Sequence, residues 1–128
     1  MNPKKYINHV ISICLISVLI FFFGFNRLSA EEINWIEVAK TSNEIQFIDA
    51  NSIKYNNQGF LSVITKYSEF NPDDQEIIKT NSYLMAVDCD SRLFSKLPLN
   101  GEIKQVKDWK EPFNDKLIKK TILNSCSY

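Results

Sequence analysis

Cysteines, a single histidine and a few clustered carboxylates are the side chains in this sequence whose type and spacing suggest chemistry. The histidine, His9, lies among the first thirty residues, so a chain beginning at Glu31 has no imidazole. Serine and cysteine nucleophiles need a neighbouring base, usually histidine, so the ordinary triads are excluded there. No motif marks a serine–lysine pair. Cys89 and Cys126 stand 37 positions apart, unlike the close Cys-x-x-Cys spacing of reactive couples. Asp73, Asp74 and Glu76 form the densest acidic cluster, but the spaced oxygen ligands of a calcium loop are missing, so they read as a solvated turn. Asp88 and Asp90 flank Cys89 at a strand end. Glycoside hydrolysis needs two carboxylates at a set separation across a cleft, so these acids read as surface groups. Gly59 and Gly101 are the only glycines after position 31, which leaves no phosphate loop. The chain is read as non-catalytic, with no metal and no cofactor.

Binding chemistry is better represented. Lys104, Lys107 and Lys110 surround Trp109 and form the candidate partner surface, a basic patch with one aromatic side chain. The plainer reading is a solvated loop whose Trp109 packs onto the body of the domain. The lysines of the C-terminal helix are the other place to look for a partner. Over the whole chain 15 basic residues balance 15 acidic ones, so nothing points to nucleic acid.

The N-terminal residues decide the compartment. Lys4 and Lys5 precede the uncharged, 16-residue run 10–25, and a polar stretch then ends at Ala30. This basic, apolar, small-residue order is that of an export signal, with the cut expected between Ala30 and Glu31. A membrane span wants about 20 apolar residues, so an uncleaved anchor is the second reading, and the only route to a membrane. Cys14 follows Ile13 rather than the small residue of a lipidation signal, and reads as an apolar residue of the segment. Residues 31–128 then form a single domain of 98 residues with net charge −3, in the periplasm or on the outer cell surface. Two thiols in an oxidising compartment usually pair, and Cys89–Cys126 is the only intramolecular choice.

Periodicity predicts the elements that position these groups. Strands are expected over 33–39, 44–49, 60–70, 77–89 and 92–97, with turns at Asp49–Ser52, Asn56–Gly59, Asn71–Asp74 and Asn100-Gly101. Tyr83, Met85, Val87 and Cys89 fall on one strand face. Asn114 is the expected cap of a helix whose apolar stripe carries Leu117, Ile118, Thr121, Ile122 and Cys126. A bridge between Cys89 and Cys126 would pin that helix across the sheet. The expected class is α+β, a mostly antiparallel five- or six-stranded sheet with a C-terminal helix on one face, tied by a disulfide. Trp35, Phe47 and Tyr67 are taken as core residues.

The order of Trp35, Phe47-Ile48-Asp49, Ser52-Ile53, Asp88-Cys89, Trp109 and a terminal helix with Cys126 resembles the bacterial surface-adhesin protein E family. The resemblance covers almost all of residues 31–128. It implies an antiparallel sheet with a disulfide-tied helix, and an exported binding protein akin to adhesins that bind extracellular or host matrix proteins. Homodimerisation is left open. It carries no ligand residues, because the matching positions are structural. A small periplasmic inhibitor or envelope-complex subunit on the same scaffold is the alternative.

Overall fold

Apolar side chains at every second position make residues 31–128 an antiparallel sheet with one face available for a helix. The computed structural model describes residues 3–24 and 31–128. The chain falls into two compact units that divide between Glu31 and Glu32. The first contains α1 (Pro3–Gly24), along which Ile7, Ile11, Leu15 and Val18 are exposed. Among the described residues no helix is long and apolar enough to cross a membrane.

The second unit has six strands: β1 (Trp35–Lys40), β2 (Glu44–Asp49), β3 (Lys54–Tyr55), β4 (Leu61–Phe70), β5 (Ile77–Asp88) and β6 (Leu93–Leu97). They are ordered β1-β2-β4-β5-β6, with the short β3 also paired to β4. Every pairing is antiparallel. The helix α2 (Lys116–Ser125) covers one face. Val38, Ile48, Leu61, Val63, Met85 and Val87 from the sheet meet Ile118 and Ile122 from α2 in a single core, as the α+β expectation requires. Ile118 is 2% exposed, so cutting it to alanine should cost about 2–5 kcal/mol.

Three local devices set this register. A bulge in β1 inserts an extra residue between Glu37 and Ala39, opposite the Phe47-Gln46 step of β2. Both Val38 and Ala39 are thereby buried, and Lys40 is rephased to the face away from α2, with its ammonium 5.5 Å from the Phe70 ring centre. At the second device, the buried Asp49 carboxylate accepts the backbone N–H groups of Asn34 and Asn51. It caps a 3-10 turn, Ala50–Ser52, and fixes the entry to β1, which begins two residues later than the pattern predicts. The third is Ser52. Its hydroxyl donates to the Asp49 carbonyl and accepts the Ile64 N–H at 2.8 Å, where β4 lies between its pairings to β2 and β3. The Asp49 and Ser52 positions of the sequence pattern thus do backbone work.

The hairpin predicted at Asn56–Gly59 forms. The Asn56 side chain accepts from Gln58 and Phe60, and Gly59 takes φ +84°, a conformation favouring glycine. At the turn after β6, a Cβ on Gly101 would lie 2.9 Å from both the Leu97 Cβ and the Pro98 carbonyl oxygen, so only glycine lets the chain pass. β5 runs past its neighbour: pairing with β6 begins at Leu84, which leaves the edge of residues 77–83 without a strand partner among the described residues. One expectation is corrected. Asp115, not Asn114, caps α2, accepting the Ile118 N–H at 3.0 Å, because its negative carboxylate also suits the positive end of the helix.

The bond between Cys89 and Cys126 is formed, with a Cα–Cα distance of 5.8 Å. It ties the residue after β5 to the residue after α2. Closing 37 positions stabilises the fold by about 4 kcal/mol on the chain-entropy model. Cys126→Ser is therefore expected to lower stability by a few kcal/mol in chemical denaturation, with α2 amides losing hydrogen-exchange protection before the sheet; unchanged melting would contradict this role.

Candidate binding surface

Three cationic side chains converge beside the cystine. After Asp88, the chain turns through Cys89 and Asp90, with the Ser91 N–H donating to the Asp88 carboxylate at 3.2 Å. Arg92 completes the turn at φ +56°, a left-handed conformation uncommon for a side chain of its size. This directs the chain into β6 and sets Arg92 next to α2, where it shares a groove of about 490 Å³ with Lys119 and Lys120. No carboxylate lines that groove, and none of the three cations makes an ion pair among the described residues. Its apolar wall is Pro112, Ile122, Leu123 and the cystine itself.

The segment predicted as the partner surface behaves differently at each residue. Trp109 is half-buried, its ring centre 4.9 Å from that of Phe60, so it packs onto the domain as the plainer reading holds. Lys110 exchanges both backbone hydrogen bonds with Phe94, which ties the segment back to β6, while its side chain is exposed. Lys104 pairs with Glu102 at 2.9 Å, an exposed contact worth little. Lys107 is exposed.

A second cleft, of about 420 Å³, opens at the start of α2 among Glu44, Gln46, Tyr67 and Lys96. The Tyr67 hydroxyl donates to the Glu44 carboxylate at 2.7 Å, and the Gln46 amide donates to the Tyr83 oxygen at 3.3 Å. Hydrogen bonding to Glu44, reinforced by burial and by the negative charges of Glu44, Glu69 and Asp115, pushes the Tyr67 phenol up to about 12. Burial also raises Tyr83.

On the face away from α2, Lys66 lies between two rings, 4.4 Å from the centre of Trp35 and 4.7 Å from that of Phe47. This corrects the reading of Trp35 and Phe47 as core residues. They are half-buried on that face, where they cover the lysine stem. Tyr67 lies on the helix side but keeps its hydroxyl in the polar cleft.

A model of the surface adhesin-E family matches residues 36–128. The chain belongs to that family. Searches of curated proteins and of solved structures return no match. In this adhesin-E chain the pattern positions hold the scaffold together, whereas sequence reasoning did not single out Arg92 as a residue of the groove. Its only sequence signal was its place between a turn and a strand, and its convergence with Lys119 and Lys120 depends on the tertiary fold.

A phenol whose folded value lies above its free value of 10 stabilises the fold fully below pH 10, and that contribution fades as pH rises from 10 towards 12. Ultraviolet phenolate titration should show Tyr67 ionising near pH 12. Glu44→Gln should bring that step down, and Tyr67→Phe should abolish it.

Proposed function

We propose that this chain is an exported, non-catalytic binding protein of the cell envelope or outer surface, whose first thirty residues direct its export. The observation that carries the reading is the adhesin-E family match, which extends through almost the whole folded unit, residues 36–128. The Cys89–Cys126 bond supports it, because such bonds persist outside the cytosol. The partner in this reading is an extracellular protein, met through exposed cationic side chains. Lys104, Lys107 and Lys110 present such charges from a segment anchored by Trp109. Binding without chemistry asks only for a rigid scaffold and a complementary surface.

Two measurements test this. N-terminal sequencing of protein from the cell envelope should begin at Glu31; a chain that retains Met1 would establish the anchored form instead. Protease treatment of intact cells should clip the protein at the surface. Full protection, with capture of a periplasmic enzyme or envelope complex, would replace the adhesin reading with that of an inhibitor or assembly subunit.

A further inference from the structure

We propose that the groove beside the cystine is a docking site for an acidic polypeptide segment that also carries aliphatic or aromatic side chains. The proposal rests on the protein-binding reading above and names the chemistry of the segment taken. Arg92, Lys119 and Lys120 come from two parts of the chain and meet at one groove, with no acid in its lining. Each lacks an ion-pair partner among the described residues, so the groove holds uncompensated positive charge in a domain that is acidic overall. An anionic ligand is the complementary partner.

The wall of the groove selects among anions. Pro112, Ile122, Leu123 and the sulfur atoms of Cys89 and Cys126 offer apolar surface between the cations. Leu123 is 59% exposed although it follows the core residue Ile122, so it is free to be covered by a ligand. A sulfated polysaccharide would satisfy the charges but bury little on this wall. A peptide that alternates acids with apolar side chains does both. The groove volume, about 490 Å³, lies in the range of sites that hold a few side chains. The cystine holds α2 beside the turn that carries Arg92, so the charges are set before the ligand arrives.

The test uses the full protein isolated from exporting cells and a fluorescein-labelled peptide alternating glutamate and leucine, read by fluorescence anisotropy. Saturable binding is expected, weakening in about 0.5 M salt, where charges are screened over a few ångströms. The triple variant Arg92→Gln, Lys119→Gln, Lys120→Gln should lose about tenfold or more in affinity. Leu123→Ser should lose several-fold while melting as the parent does. Lys40→Gln, Lys54→Gln, Lys79→Gln removes the same charge from exposed positions outside the groove and should bind as the parent does. Absent binding, or equal loss in both triple variants, would overturn the proposal. So would polyglutamate binding as tightly as the mixed peptide, or a heparin fragment binding in its place. These failures leave the surface-exposure result untouched, so the groove and the exported-binder reading stand or fall separately.

Discussion

The Cys89–Cys126 bond fastens the one α-helix described in the second unit to the far end of its longest strand. A ten-residue helix is marginal in water by itself, because nucleation is costly and few intrahelical bonds repay it. Here α2 is held at its start by the Asp115 cap, along its length by Leu117, Ile118 and Ile122, and at its end by the cystine. With that helix in place the sheet face under it is dry. Without it, Ile48, Val63 and Met85 would lose the cover that Ile118 and Ile122 give them.

The same attachment organises the surface. Lys119 and Lys120 belong to the helix and Arg92 to the turn after β5, and their proximity exists only while the helix stays docked. Scaffold and candidate binding groove are therefore one mechanical unit.

Much of this architecture was legible in the sequence because it depends on short-range rules. The two-residue period gave the shared face of Tyr83, Met85, Val87 and Cys89, and the 3.6-residue period gave the stripe of α2. Cysteine number and the export-like N-terminus gave the bridge, since two thiols admit one pairing. What escaped was set by tertiary context. Simple alternation hides the β1 bulge, so Lys40 gave no sign of turning to the Phe70 side. The aromatic residues Trp35 and Phe47 look like core by composition, and only the register beside Lys66 reveals that they form the other face. Trp109 was legible as a packing residue, but its partner Phe60, nearly fifty residues away in sequence, was not. The cap moved by one residue because neighbouring asparagine and aspartate offer nearly equivalent signals.

The lysine clasped by Trp35 and Phe47 has a further consequence. A second apolar layer laid over that side of the sheet would have to strip water from an ammonium that has no carboxylate partner among the described residues, at a cost of several kcal/mol. Lys66 and, nearer Phe70, Lys40 thus set positive charge among the rings of that face, which raises the cost of dry stacking on it.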